Sequence, residues 1–599
     1  MMSFAQIIHY TTNQMKKNST KPSYLKKAFQ LFSDYFINSD QKLTAWLLLG
    51  GMILCILALV GLAACLPWGF LGFWTALTAK ELTGFLFYSG IIALTSAAIV
   101  AVGTLMDYLT ETLSIQWRSW LTTKFINKYL FGKKNYLDLA RISTHIDNPD
   151  QRIQDNIENF VDRTLSLSTD FLRSSLTLAA FIGTLWILGS SLPIVVFGAT
   201  IIIPGYLVWT SLFVALINSV ITHVLGKSLT MMNQKEERLE AKFRKDLEFV
   251  HNESENIALE AGEKYHQKRL AKDLDHISQN AFQKLGVKLK VSAFQTSYNY
   301  IAEILPYFFT APAYFTGLIN FNQIMQVGVA FGEVSKALNW FVDSYTSLKK
   351  YQTSIERIIE LEEELDNENS KVSQKNIRIH QSQSNALIIK NLNIAYPHTA
   401  NPRYMMRDLN LEFKPGENTL IKAPSGFGKS TFFKAIRNTW GHGKGEINIP
   451  QQQKTYFLPQ RPLIPHDSLK AILAYPDSIS TYTEEQYNAA LLAVGGNMDR
   501  FIPELDKKDT WSKRLSLGQQ QRISFARALL KKPDWLFLDE ATASLDEQSE
   551  DQLYSLLKEK LPKTTVISIA HRSTVMKFHQ RVVQFEAPTE ETRQSSLAC

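Results

Sequence analysis

Nine residues constrain this chain more than any others: Ala423-Pro424-Ser425-Gly426-Phe427-Gly428-Lys429-Ser430-Thr431. They follow the apolar run Thr419-Leu420-Ile421 and open a segment of helical character, Phe432 to Arg437. Strand, glycine-rich turn and helix is the context in which a backbone wraps phosphate. Gly426 and Gly428 leave room for N–H groups to close on phosphate oxygens. Lys429 can reach the outer phosphates, and the Ser430 hydroxyl can ligate Mg²⁺. The helix N-terminus adds partial positive charge. Ala423 stands where the pattern G-x-x-x-x-G-K-[ST] has its first glycine, and it is small enough to be tolerated. Alone, the stretch could still be a glycine turn without a ligand.

The rest of the C-terminal third removes that alternative. Leu515-Ser516-Leu517-Gly518-Gln519 lies downstream, followed by Gln520, Gln521 and Arg522. The apolar run Trp535-Leu536-Phe537-Leu538 then ends in Asp539-Glu540. Such a strand end can place Asp539 on the Mg²⁺ shell and Glu540 beside the attacking water. Ser544-Leu545-Asp546 follows, with His571 after the run Thr565 to Ile569. Gln460 closes another apolar run, and Tyr396, upstream, can stack on adenine. In this order the set resembles an ABC ATPase: A-loop aromatic, Walker A, Q-loop, signature, Walker B, D-loop and H-loop. The resemblance implies ATP and Mg²⁺ as cofactors. It implies Glu540, His571, Gln460 and Lys429 as the catalytic set, with Ser430, Gln460 and Asp539 around the metal. Ser516, Gly518, Gln519 and Asp546 join the nucleotide-binding residues, with Ser516 and Gly518 reaching the γ-phosphate held by Lys429 of a partner. One chain would carry one ATPase domain, so a homodimer would supply two equal sites. Leu517 departs from the Leu-Ser-Gly-Gly-Gln form; Ser516 and Gly518 remain, so activity is expected.

A chain of 599 residues with a formal charge of +8 should hold more than one domain. Its three cysteines, Cys55, Cys65 and Cys599, form no disulfide framework or zinc spacing. The basic surplus would suggest nucleic acid in a soluble protein. Long apolar runs explain it better. Leu43 to Leu66 and Leu82 to Met106 are free of charge and long enough to span a bilayer. Leu172 to Leu192 and Ile194 to Leu225 read as a third and fourth span. Ala302 to Leu318 and Ile324 to Tyr345 are weaker, carrying Glu303, Glu333, Lys336 and Asp343. Charges at membrane depth normally face a bundle interior or a wet cavity. Tyr24 to Ile37 suits a helix lying at the membrane surface. No apolar core precedes residue 43, so a cleaved signal peptide is not expected.

With the N-terminus cytoplasmic, the outer loops fall near Pro67 to Glu81, Gly189 to Pro193 and Gly317 to Gln323. They hold one basic residue, Lys80, whereas Asp107 to Asp170 and Lys227 to Gln295 are rich in Lys and Arg. That is the positive-inside pattern. Six spans also return the chain to the side where ATP is. The long inner segments read as cytoplasmic extensions of membrane helices.

Ile115 to Thr122, Ile146 to Ile153, Glu255 to Ala258 with Gly262-Glu263, and Phe457 to Pro462 resemble one ABC subgroup. It contains the peroxisomal fatty acyl-CoA half-transporters and the bacterial transporters related to BacA and SbmA. Physically, Asp147-Asn148-Pro149-Asp150 is a helix-start signal, read either as a coupling surface or as a plain cap. The expected architecture is an all-α polytopic membrane domain of about six helices, followed by an α/β P-loop ATPase. Boundaries are expected at 1–42 (interfacial segment), 43–360 (membrane domain), 361–385 (linker), 386–588 (ATPase) and 589–599 (tail). The resemblance implies an ATP-driven, multi-pass transporter in a bacterial inner (plasma) membrane, with a solute and membrane lipid as partners and no nucleic acid. Ionisable residues in the last two spans favour a hydrophilic, peptide- or cobalamin-like solute over acyl-CoA or lipid. Readings of another class are a soluble ATPase acting on ribosomes or DNA, which the strong spans oppose, and a membrane-bound regulator without transport.

Overall fold

The computed structural model describes residues 24–131, 149–190, 194–196, 199–201, 203–372, 376–396, 403–424 and 426–585. Ser425, Ile146 to Asn148 and the tail 589–599 lie outside them. Two units divide between Leu365 and Asp366, and each is described by itself.

The first unit is built from long helices: α1 (Tyr24–Phe36), α2 (Lys42–Thr78), α3 (Leu82–Phe131), α4 (Ile157–Ser190), α5 (Tyr206–Asn252), α6 (Glu263–Phe315) and α7 (Phe321–Val372). Among the described residues, α2, α3 and α5 are long and apolar enough to cross a membrane, with mean hydropathy of 2.7, 2.1 and 1.7 over their best windows. Leu47, Leu54, Leu86 and Leu94 are exposed on α2 and α3, as befits helices whose solvent is lipid. The expected third, fifth and sixth spans lie in α4, α6 and α7. Phe181 and Leu185 of α4, Tyr206 to Val208 of α5, Ala313 of α6 and Val327 to Phe331 of α7 share one core.

Several readings change. The outer loop placed at Pro67 to Glu81 is helical as far as Thr78, with Pro67 inside α2. Proline removes one N–H, and the apolar residues on both sides sustain the helix in a membrane. The fourth span does not begin at Ile194. Ile194–Val196 and Ala199–Ile201, β1 and β2, form an antiparallel pair, as β-branched runs favour. Helix α5 starts only at Tyr206, after Gly205 with φ +63°. Helix α1 does not merely lie on a surface: Leu31, Tyr35 and Phe36 are fully buried. Tyr35 and Phe36 pack on Trp117 of α3 at 5.8 and 5.5 Å between ring centroids. Lys27 of α1 and Lys128 of α3 both pair with Glu362 of α7. Pro149 does open a helix, as its fixed φ allows. Arg152, one turn on, is buried and pairs with Glu360 at 3.0 Å.

Residues 361–385, expected as linker, carry structure. Helix α7 runs to Val372, and Asn376–Ser382 forms strand β3. Ile377 and Ile379 alternate with polar residues, a period-2 pattern that the polar composition of the segment concealed.

Among its described residues the second unit holds, besides a short antiparallel pair of Asp467–Ser468 with Lys508–Asp509, two larger sheets. One contains β3, β4 (Leu387–Ala395), β5 (Tyr404–Phe413) and β7 (Gly443–Pro450), in the order β3-β7-β4-β5. The other is parallel and contains β6 (Thr419–Lys422), β8 (Thr455–Leu458), β9 (Trp535–Asp539), β10 (Thr565–Ile569) and β11 (Arg581–Gln584), in the order β11-β6-β10-β9-β8. Strands β9 and β10 are apolar runs buried almost end to end, as in a parallel sheet covered on both faces. Helices α8 (Lys429–Ile436), α9 (Leu517–Lys531) and α10 (Glu547–Lys560) complete the frame. The C-terminal ends of β6, β8, β9 and β10 therefore point one way. In an open α/β sheet this is the edge where ligands bind.

Candidate nucleotide site

The site assembles at that edge. Beyond β6 the chain turns through Ala423, Pro424, Gly426 and Phe427 into α8, where Phe427 N–H donates to the Pro424 carbonyl at 3.3 Å. Gly426 and Gly428 have φ of +79° and +95°, the left-handed region that glycine enters without strain. A Cβ on Gly428 would stand 3.2 Å from Met405 Sδ, so the loop is also closely packed there. Ser430 and Thr431 continue into α8.

Lys429 is buried. Its Nζ donates to the Ala423 carbonyl at 3.0 Å and lies 2.5 Å from His571 Nε2 and 3.8 Å from Glu540 Oε1. His571 Nε2 is in turn 3.1 Å from Glu540 Oε1. Gln460, after β8, donates from Nε2 to Glu540 Oε2 at 3.0 Å. Ser430 Oγ donates to Asp539 Oδ1 at 3.0 Å. Lys429, His571, Glu540 and Gln460 thus form one connected network, and Ser430 and Asp539 a second pair beside it. Burial lowers the Lys429 ammonium from the ordinary lysine range, against the raising pull of Glu540 and Asp539. Burial likewise raises the Asp539 carboxyl, partly offset by the Ser430 hydrogen bond.

Glu540 has φ +49°, a left-handed conformation that costs a non-glycine residue roughly 1–2 kcal/mol. Its N–H donates to the Ile569 carbonyl at 3.0 Å. That bond pins the turn that aims the carboxylate away from the end of β9. Sparsely populated backbone of this kind gathers at functional sites.

The signature residues form a second group. Ser516 caps α9: its Oγ accepts from Gln519 N–H at 3.3 Å while Gln519 Oε1 accepts from Ser516 N–H at 3.1 Å. This reciprocal capping box fixes both side chains at the helix start. Leu517, where the motif has glycine, is exposed. A Cβ on Gly518 would meet Leu545 Cδ2 at 3.0 Å, so the D-loop packs on the signature turn. Asp546 caps α10, with Oδ1 accepting from Ser549 N–H at 2.6 Å. Its carboxylate is thus held by its own helix.

Two residues went unassigned in the sequence. Gln521, buried on α9, donates to the Gln460 carbonyl at 3.2 Å and accepts from Ser544 N–H at 3.2 Å. A glutamine on the apolar face of a helix was the available signal. Arg403 stands with its guanidinium 5.2 Å from the Tyr396 ring centroid, and Tyr396 N–H donates to the Arg403 carbonyl at 2.8 Å. Nothing in the local pattern foretold that pair.

Comparison with known proteins agrees with this geometry. Residues 33–315 match the family described as ABC transporter transmembrane region 2, and residues 406–543 match the family described as ABC transporter. An ABC transporter ATP-binding protein of Synechocystis is 31% identical over 95% of this chain and 85% of its own length. The human lysosomal cobalamin transporter ABCD4 is 25% identical over 84% and 86%. The solved structure of a bacterial Atm1-family ABC exporter with ATP bound shares the fold, with a TM-score of 0.69, 17% identity and coverage of 92% and 96%. A helical membrane domain fused to a nucleotide-binding ATPase defines a class of membrane pump. The chain belongs to the ABC transporters, multi-pass membrane proteins that bind ATP and couple its hydrolysis to transport.

Proposed function

We propose that the chain is a homodimeric pump of a bacterial inner membrane that moves a hydrophilic solute, of the peptide or cobalamin-like kind. The observation that carries this reading is polar bonding between helices read as spans. Asn339 Oδ1 on α7 accepts from Asn218 Nδ2 on α5 at 3.0 Å and from Tyr298 O–H on α6 at 3.4 Å. Glu303 is exposed on α6, and Glu333 pairs with Lys336 on α7. An acyl chain would need no such groups. The named relative that transports cobalamin supports the same choice.

At the nucleotide, Lys429 leaves the Ala423 carbonyl and His571 to neutralise phosphate charge. Glu540 accepts the proton of the attacking water, and His571 hydrogen-bonds the γ-phosphate. Tyr396 stacks on adenine. Ser430 Oγ and Asp539 Oδ1 are hard oxygen donors 3.0 Å apart, and they suit Mg²⁺, with Gln460 beside them through Glu540. Ser430 and Asp539 would hold such an ion, which would supply charge neutralisation to the phosphates. Ser516 and Gly518 act on the partner's nucleotide.

The test is flux in proteoliposomes against peptides, cobalamin and acyl-CoA. ATP-dependent movement of a peptide or of cobalamin is expected. Movement of acyl-CoA alone, or ATPase activity without flux, would overturn the assignment.

A further inference from the structure

Among the described side chains of the expected sixth span, one charged group stands open. From Asn322 to Trp340 every residue is buried or half-buried except Lys336. Its Nζ donates to Glu333 Oε1 at 2.8 Å, with the lysine side chain 77% exposed and the glutamate 29%. An ammonium carries three donors, and Glu333 takes one. Lys336 follows Phe321, the start of α7, by fifteen residues. That is about 22 Å along the axis, within a hydrocarbon layer about 30 Å thick.

Asn322 Nδ2 donates to Thr75 Oγ1 of α2 at 2.9 Å, which sets Lys336 opposite the turn of α2 around Gly61, where the exposed large side chain is the aliphatic Leu57. An ammonium aimed at lipid is costly, so the open side of Lys336 belongs to water. The neighbouring turn is polar too. Asn339, three residues on, joins Asn218 and Tyr298, and Thr222 Oγ1 donates to Asn218 Oδ1 at 3.3 Å. Helices α5, α6 and α7 therefore meet through hydrogen-bonding groups beside the lysine.

Resting on the transport reading, we propose that Lys336 is the anion-recognising group of the solute pathway, taking a carboxylate or phosphate oxygen of the solute on the donors that Glu333 leaves. Exposure decides the sign. Glu333 is the tucked member of the pair, and its carboxylate is turned to the ammonium. It holds the Lys336 side chain in place until a solute arrives. A cation would instead have to displace Lys336 to reach Glu333.

Gly332 lies one turn before Lys336, and a Cβ added there meets no atom within 4 Å. The test places Gly332→Cys in full-length protein carrying Cys55→Ala, Cys65→Ala and Cys599→Ala, in lipid nanodiscs. Labelling rates are compared for the anionic ethylsulfonate and the cationic ethyltrimethylammonium methanethiosulfonates. The anionic reagent should gain roughly three- to tenfold, as one unit charge about 6 Å away in water implies. Lys336→Gln should abolish or reverse the preference, and Glu333→Gln should enlarge it. Triglutamate, a soluble carboxylate-rich peptide, should slow labelling only where Lys336 is present. Size-exclusion profiles establish that each variant is folded. A folded protein whose thiol is inert to both reagents overturns the proposal, because a thiol in lipid does not ionise. An unchanged preference in Lys336→Gln overturns it as well. Indifference to triglutamate overturns the solute site, and rates that then follow the phosphatidylglycerol content of the nanodisc would assign Lys336 to lipid headgroups. Failure of flux in the unsubstituted chain strikes the transport reading, whereas the labelling ratio strikes Lys336 alone.

Discussion

Lys429 Nζ and His571 Nε2 stand 2.5 Å apart, and both face the carboxylate of Glu540. On the proposed assignment, the lysine for phosphate is tied to the two residues for hydrolysis, and a nucleotide that takes Lys429 would also release Glu540. The first prediction follows from this. Glu540→Gln keeps a hydrogen-bonding group of the same shape at the same backbone position but cannot take a proton. ATPase turnover should fall by about 10²–10⁴-fold, with binding of a fluorescent ATP analogue retained. Phosphate release and equilibrium binding measured side by side check it, and a variant that keeps most of its turnover contradicts it.

Gln521 joins the Q-loop and the D-loop through one buried amide. Gln521→Ala leaves the Gln460 carbonyl and the Ser544 N–H without that partner. Gln460 and Ser544 are themselves exposed, so water can take up part of the loss, and the ATPase unit should melt at a temperature lowered by less than the roughly 1–3 kcal/mol that each fully buried unsatisfied group costs. Turnover should fall more than ATP affinity does, because Lys429 and Ser430 are untouched. Equal losses in both would reduce Gln521 to packing.

A third prediction concerns the proposed dimer. Mixing a Lys429→Ala chain with a Ser516→Arg chain puts both lesions in one composite site and leaves the other whole. Partial return of ATPase activity is expected in purified heterodimers. Activity no greater than that of either parent homodimer would count against Ser516 acting across the interface.

The fourth is a pH dependence. His579 Nδ1 faces the Val575 carbonyl at 2.8 Å, so it carries the proton, and Nε2 accepts from Ser568 Oγ at 2.8 Å. Burial lowers this imidazole from the ordinary histidine range. The folded protein therefore binds fewer protons here than the unfolded chain does. This contribution to stability is present above the unfolded value, about 6.5, and is lost as pH falls through it toward the lowered folded value. Melting of the ATPase unit should drop with acidification over that window, and His579→Gln should flatten the drop. An unaltered slope in the variant would contradict this.

The convergence of Lys429, Ser430, Asp539, Glu540 and His571 at one sheet edge was legible in the sequence, because a phosphate-loop pattern and a strand ending in two carboxylates are short, specific spacings. Strand β3 was hidden because its alternation is carried by two isoleucines among polar residues, Asn376 to Ser382. The early start assigned to α5 failed because β-branched residues of a span and of a strand look alike in a hydropathy reading. Pro67 misled in the opposite direction, since punctuation rules drawn from water are relaxed where neighbouring apolar residues sustain a helix in lipid. Gln521 and Arg403 stayed silent because their roles come from partners far away in sequence or fixed by a hairpin register.

Glu362 receives Lys27 from the first described helix and Lys128 from the third. The opening and closing helices of the membrane unit are thereby clasped, and a linear chain behaves locally like a ring. A shift of α7 has to drag α1 and α3 with it or break the two charge pairs. Helix α1 is then coupled to the helix that closes the membrane unit, and a bulky fusion placed just before Tyr24 would load the Lys27–Glu362 contact.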